Sequence, residues 1–131
     1  MSSKKIRVGC ASGFWGDTSI AAKQLVEKAS LNYLVFDFLA EVTMSILSKA
    51  KLRNPKLGYA TDFIDHITPL LKKIKNENIK VVTNAGGINP YSCKAALDFE
   101  AEKLGLKLNI AIVEGDDILS KLPALKKQGV R

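Results

Sequence analysis

The sequence predicts an α/β protein of three layers, built on a mainly parallel sheet with Rossmann-like topology. Three observations carry that reading. Short β-branched runs alternate with stretches whose apolar residues recur at helical spacing, as in strands joined by crossover helices. The run "LNYLVFDF" is almost continuously apolar, the pattern of a strand covered on both faces. Each strand-like run ends in glycine, asparagine or acidic residues, the chemistry expected where a parallel sheet gathers its loops.

Taken in order, "KKIRVGCA" is a strand ending at a glycine turn. "DTSIAAKQLVEKAS" follows as a helix, with Asp17 or Thr18 available to cap it and Ile20, Ala21, Leu25 and Val26 near helical spacing. "LNYLVFDF" is the second strand. "LAEVTMSILSKAKLRN" offers the broad apolar stripe Leu39, Val42, Met44, Ile46 and Leu47, and Pro55 and Gly58 punctuate its end. "ATDFIDHITPLLKKIKNEN" repeats apolar residues at Phe63, Ile64, Ile67, Leu70, Leu71 and Ile74. Pro69 falls inside that pattern, so the helix either kinks there or restarts with proline in its first turn. "IKVVTN" is a third strand and "AGGINPYS" a turn-rich loop. "CKAALDFEAEKLG" is a helix stopped by Gly105, with Leu97, Phe99, Ala101 and Leu104 among its packing residues. "LKLNIAIVEGDD" reads as a fourth strand, and "ILSKLPALKKQGVR" as a short helical or irregular tail without a mate.

A chain of 131 residues suits a single domain, 1–131, with ordinary globular proportions of apolar and charged residues. No apolar run is long enough to span a membrane, and the start lacks a signal-peptide core, so the expectation is an intracellular protein. The net charge of +7 comes mainly from lysines scattered over helix faces with few aromatics between them; that excludes a single-strand nucleic-acid binder and favours solvated faces. Cys10 and Cys93 are expected as buried or half-buried thiols, His66 as an ordinary helix histidine. No zinc site and no nucleophile triad can be assembled from these residues.

All strand exits of a parallel sheet share one edge, and four exits here concentrate the unusual residues. Gly13, Phe14, Trp15, Gly16 and Asp17 follow the first strand; Asp37 and Glu41 follow the second. Asn84, Gly86, Gly87 and Asn89 follow the third, and Glu114, Asp116 and Asp117 the fourth. The first loop spaces its glycines as Gly9, Gly13 and Gly16 rather than GxGxxG, and Phe14 and Trp15 would crowd a pyrophosphate. Trp15 and Phe14 form either a plug at the sheet edge or an apolar wall for a substrate. Asp37 and Glu41 are the catalytic candidates, as a proton-transfer pair or as ligands of Mg²⁺, with Glu114, Asp116 and Asp117 as weaker metal candidates. The plainer alternative makes Asp37 a cap for the helix near Leu39 and Asp116 or Asp117 a cap for the tail. The "NAGGIN" amides are candidates for holding an oxyanion or phosphate.

The stretches "RVGCASGFWGD", "YLVFDFLAEVTMS", "GYATDF", "VVTNAGGINP" and "VEGDD" resemble the N-terminal part of the acyclic terpene utilisation (AtuA-like) family, from about Ile6 to Asp117. The resemblance places Gly13–Asp17, Asp37, Glu41, Thr43, Asn84–Gly87, Asn89, Pro90 and Glu114–Asp117 in family motifs. It implies a metabolic protein of bacterial or mitochondrial-matrix type, working among enzymes that degrade acyclic terpenoids through CoA thioesters. The expected substrate is therefore a small organic acid or its CoA thioester, the latter as substrate rather than cofactor, and the expected location cytoplasmic or mitochondrial. Family members are longer, which implies a fragment or short form whose site is incomplete. An exposed edge or apolar face would then invite a partner or a homo-oligomer. The competing expectation is a non-catalytic ligand-binding or subunit-interaction module.

Overall fold

The structure, a computed structural model, describes residues 5–129. Three short strands, β1 (Val8–Cys10), β2 (Tyr33–Phe36) and β3 (Lys80–Thr83), form a parallel sheet in the order β1-β2-β3. Val8 pairs with Tyr33 and Tyr33 with Lys80, so the strands start level and end on one rim. Helix α1 (Ala21–Lys28) links β1 to β2. Helices α2 (Glu41–Arg53), α3 (Asp62–Ile67) and α4 (Leu71–Asn76) link β2 to β3, and α5 (Pro90–Lys103) follows β3. The α/β class and the parallel sheet are as the sequence predicts.

Both crossovers step in the same direction across the sheet. A right-handed connection then sends each helix to the same face. Burial alternates accordingly. Gly9, Leu34 and Phe36 are buried beneath the helices, whereas Val8 (60%) and Val82 (54%) stay exposed on the other side with Cys10. Of the three layers, the described residues build two. "LNYLVFDF" is covered on one face only, since Tyr33 and Val35 remain half-exposed on the bare side.

The core is anchored where β2 leaves the sheet. Phe36 and Phe38 stack with centroids 5.8 Å apart, and Phe63 from α3 meets Phe36 edge-on at 5.2 Å, the geometry that the ring quadrupole favours. Gly9 lets α1 lie directly on β1, because a Cβ there would come within 3.1 Å of the Leu25 and Leu31 side chains. Pro69 stands in the first turn of a new helical segment, the second of the two sequence alternatives, and that segment is 3-10 rather than α. The chain tightens into a 3-10 turn over Thr68–Leu70 between α3 and α4, and the Thr68 hydroxyl donates to the Ile64 carbonyl at 2.7 Å. Lysines mostly lie on solvated helix faces, paired one turn away as in Lys73–Glu77 and Lys94–Asp98.

Several local expectations are overturned. The predicted fourth strand does not form. Leu106, Leu108 and Ile110 pack on the core while Lys107 and Asn109 face out, so the period of two is real, yet no backbone hydrogen bond joins this segment to β3. Alternation fixes which side is buried; it does not fix a ladder, and the Lys107 carbonyl is taken by Lys75 Nζ at 2.6 Å. Helix α1 starts at Ala21 with Ile20 as an N-cap that makes no side-chain bond, so neither Asp17 nor Thr18 caps it. Ile20, Val42, Ile46 and Phe99 are exposed rather than packed. Cys10 is exposed and Cys93 buried. The tail is helical, a 3-10 turn (Leu119–Lys121) running into α6 (Leu122–Lys127), and neither contains a buried residue. No helix among the described residues is long and apolar enough to cross a membrane.

Candidate functional site at the sheet rim

The exits of β1, β2 and β3 are tied together by side chains. Ser12 and Asp37 join the first two: Ser12 Oγ donates to the Asp37 carbonyl at 3.2 Å and the Asp37 amide returns a bond to the Ser12 carbonyl. Asn84 joins the last two. Its Oδ1 accepts from the Phe38 amide at 2.8 Å, and its Nδ2 donates to Asp37 Oδ1 at 2.7 Å. One amide side chain thus fixes the strand exit and the carboxylate together. Asp37 is exposed, and Asn84 is its side-chain partner. It does not cap α2, whose N-cap is Ala40 without a side-chain bond.

Glu41 opens α2, where its charge suits the helix dipole. It is exposed, and no hydrogen bond links it to Asp37. The two share a rim without forming a bonded pair. On the β1 side, Asp17 Oδ2 accepts from the Gly13 amide and the Asp17 amide donates to the Phe14 carbonyl, which curls the loop upon itself. Gly16 takes the left-handed conformation at φ 87° that this curl needs. Trp15 is half-buried against the core and Phe14 exposed, so Trp15 plugs the edge while Phe14 offers apolar surface.

The "NAGGIN" amides are largely spent within the fold. Those of Ala85, Gly87, Ile88 and Asn89 bond to Thr83 Oγ1 and to the carbonyls of Asn84, Gly58 and Gly86. Asn89 is buried and organises this corner. It caps α5 through Ser92, and its Nδ2 holds the Pro55 and Leu57 carbonyls at 2.8 and 2.7 Å. Gly87, at φ 53°, is closed in so tightly that a Cβ would lie 2.5 Å from Leu47 Cδ1 and 2.7 Å from the Gly58 carbonyl. Gly86 meets Pro90 in the same way. These glycines serve close packing first.

The acids of the last exit separate. Glu114 accepts from Tyr91 Oη at 2.6 Å, which brings this segment back to the N-terminal end of α5 and therefore to the same rim. That bond pushes the Tyr91 phenol pKa above its usual value. Asp117 accepts the Leu119 amide ahead of the tail, but the N-cap of the 3-10 turn there is Ile118 without a side-chain bond, so neither Asp116 nor Asp117 is its cap; Asp116 is exposed. Among the described residues, no three histidine, cysteine, aspartate or glutamate side chains gather where an ion could sit, so the Mg²⁺ expectation finds no ligand set. His66 is half-buried within α3, and burial pushes the Cys93 thiol up to about 11.

The rim is shallow, and strand order explains it. A crevice opens outside a parallel sheet where neighbouring crossovers part to opposite faces. The order β1-β2-β3 contains no such reversal. Two open hollows lie instead at the other end of the strands, one lined by Lys5, Ile6, Asn32, Tyr33, Asn78 and Lys80, the other between the end of α1 and Lys73 and Glu77. Sequence reasoning missed Ser12, Tyr91 and the Gly58 corner. Ser12's position inside the first exit was the available signal for the first; the other two depend on contacts far along the chain.

No curated protein and no solved structure matches the chain. A family model described as "Acyclic terpene utilisation family protein AtuA" matches residues 6–131. The glycine, aromatic and acidic rim motifs all fall inside that span, and the chain belongs to the AtuA acyclic terpene utilisation family.

Proposed function

We propose that the chain is an enzyme, or the rim-bearing domain of one, in the catabolism of acyclic terpenoid acids or other small acyl compounds, free or as CoA thioesters. The observation that carries this reading is the Asp37–Asn84 contact. A carboxylate at the strand exits has one oxygen held by an amide that is itself fixed to the backbone, while the other oxygen faces solvent beside an apolar loop. Such a carboxylate can take a proton from a carbon or hydroxyl next to an acyl group placed against it. Phe14 and Trp15 supply the greasy contact that a branched hydrocarbon chain needs, and the chain's family supports the substrate class.

Trp15 is the only tryptophan, so its fluorescence reports ligand binding at this rim directly. Titration with branched ten-carbon acids and their CoA thioesters is expected to change that signal saturably. Asp37→Asn is expected to keep binding and lose turnover. Unchanged turnover in that variant rules out the assignment.

A second reading, a non-catalytic ligand-binding or subunit-interaction module, is favoured by the openness of the site. Gly13, Phe14, Gly16, Asp37 and Glu41 are all exposed, and nothing at the rim excludes water. Saturable binding without turnover in the unaltered chain would select it.

A further inference from the structure

We infer that the first turn of α2 and the Thr43 hydroxyl form the oxyanion site of this rim, taking the carbonyl oxygen of an acyl thioester whose α-proton Asp37 removes. The inference rests on the carboxylate reading above and narrows its substrate. The amides of Glu41, Val42 and Thr43 open α2, a helix of 13 residues whose N-cap, Ala40, brings no side chain to them. They find no acceptor among the described residues. Thr43 supplies an independent sign of a ligand there. It is 9% exposed, one of three buried polar residues with Ser12 and Asn89. Ser12 donates to the Asp37 carbonyl, and Asn89 holds two carbonyls and an amide. Thr43 has no side-chain hydrogen bond among the described residues, although the helical hydroxyls of Ser45 and Thr68 bond to the carbonyl one turn back. No fully buried side-chain polar atom among the described residues lacks a partner, so the hydroxyl is where Thr43 meets solvent.

Two contacts settle which way Thr43 faces. Leu47 lies against Gly87, where an added Cβ would come within 2.5 Å of its Cδ1, and Lys51 Nζ donates to the Ile88 carbonyl at 2.7 Å. Thr43, Leu47 and Lys51 follow at intervals of one turn, about 6 Å, and share one helix face. Helix and exit loop run side by side in the same direction, from Leu47 and Gly87 to Lys51 and Ile88. One turn back, the same face sets Thr43 beside the start of that loop, where Asn84 holds Asp37. The Cβ bonds of a helix tilt towards its N-terminus, which carries the hydroxyl towards the free amides. The acids of the rim decide the ligand. Asp37 and Glu41 repel a carboxylate or phosphate at this turn, whereas a neutral carbonyl is accepted. When Asp37 Oδ2 takes the α-proton, the C–H pair becomes the C=C bond and the carbonyl π pair moves to oxygen. Negative charge thereby passes from Asp37 to that oxygen, within reach of the helix amides and the hydroxyl, and the net charge of the rim is unchanged. A free acid brings a second negative charge that nothing here offsets. The α-proton returns by the reverse step, so exchange with solvent needs no co-reactant. With the "NAGGIN" amides spent inside the fold, this turn is the donor set left at the β2 and β3 exits.

Deuterium exchange at the α-carbon of 3-methylbutyryl-CoA in heavy water tests this, together with the infrared band of its isotope-labelled carbonyl when bound. The unaltered chain is expected to exchange the α-protons, and Asp37→Asn to bind without exchanging them. Thr43→Val keeps the outline of the side chain and is expected to lower kcat for exchange about tenfold to a hundredfold with KM little changed. Thr43→Ser is expected to keep most of the rate. Glu41→Gln is expected to speed exchange about twofold, since its charge opposes the oxyanion. In Asp37→Asn the bound carbonyl band is expected to lie below that of the free thioester, and to return towards it when Thr43→Val is added. Exchange that Asp37→Asn abolishes and Thr43→Val leaves unaltered overturns the inference and spares the role of Asp37. So does a slowing that Thr43→Ser shares in full, which would make the residue structural. Slower exchange in Glu41→Gln with Thr43→Val silent would give the oxygen to Glu41 and overturns it equally. A band lowered through Thr43 without exchange in the unaltered chain keeps the oxyanion site and ends the role of Asp37. Failure to bind the thioester overturns both.

Discussion

Asn84 Nδ2 lies 2.7 Å from Asp37 Oδ1, joining the exits of β3 and β2, and the other end of the same amide accepts the Phe38 N–H. Phe38 is 1% exposed, so the contact orients a surface carboxylate by reference to the core. Asn84→Ala leaves the Phe38 amide unpaired and is expected to cost about 1–3 kcal/mol. Asp37→Ala merely returns an exposed Asn84 amide to water and is expected to cost less than about 1 kcal/mol. Urea denaturation of the two variants reads the difference. Equal losses would mean that the amide is not the organising partner.

Gly87 and Gly16 both hold positive φ, for different reasons. Gly16 has open space around its Cβ direction, so Gly16→Ala carries only the left-handed backbone strain, about 1 kcal/mol. Gly87→Ala adds collisions with Leu47 and the Gly58 carbonyl and is expected to cost about 2–4 kcal/mol. Thermal melts of the pair separate conformation from crowding.

The three-phenylalanine cluster predicts an asymmetry among aromatic substitutions. Phe36→Ala empties the centre of the core and is expected to destabilise by about 3–5 kcal/mol. Phe99→Ala, at 61% exposure on α5, is expected to stay within about 0.5 kcal/mol. A large loss at Phe99 in chemical denaturation would show that its ring is covered in solution.

Burial raises the Cys93 thiol from 9.0 to about 11. Between those values the unfolded chain has given up the thiol proton and the folded chain has kept it. The contribution of Cys93 is thus complete below about pH 9 and lost as pH climbs towards 11. Stability is expected to fall over that window, and Cys93→Ala is expected to flatten the decline in a denaturation series from pH 8 to 11.

The Tyr91 phenol is raised first of all by its hydrogen bond to Glu114. Glu114→Gln is expected to bring its ultraviolet titration down towards the ordinary tyrosine value. No movement would mean that the last exit does not return to the rim.

Much of the architecture was legible because it depends on local patterning. The strands and helices sit where β-branched runs and helical spacing placed them, and the parallel direction of the strands follows from the crossovers between them. That direction alone brings Ser12, Asp37 and Asn84 to one rim. What escaped the sequence was relational. "LNYLVFDF" is apolar on both sides whether or not something covers the second, so the bare face left no mark on it. The alternation of Leu106, Leu108 and Ile110 looks the same in a paired strand and in an extended segment packed on a core. The glycines of "NAGGIN" advertise freedom of the backbone, and only the Gly58 and Leu47 contacts show that they are used for crowding. Asp37 could have capped a helix on spacing grounds, until Asn84, 47 residues away, took its oxygen.

The one-directional winding of the sheet also decides which part of the first loop is free to vary. With the connections stacked over one side, the turn after β1 hangs from the framework at Trp15, while Phe14, Gly16 and Asp17 project from it. Changes at those projecting positions leave the phenylalanine cluster untouched, so the loop can be altered without cost to the scaffold beneath it.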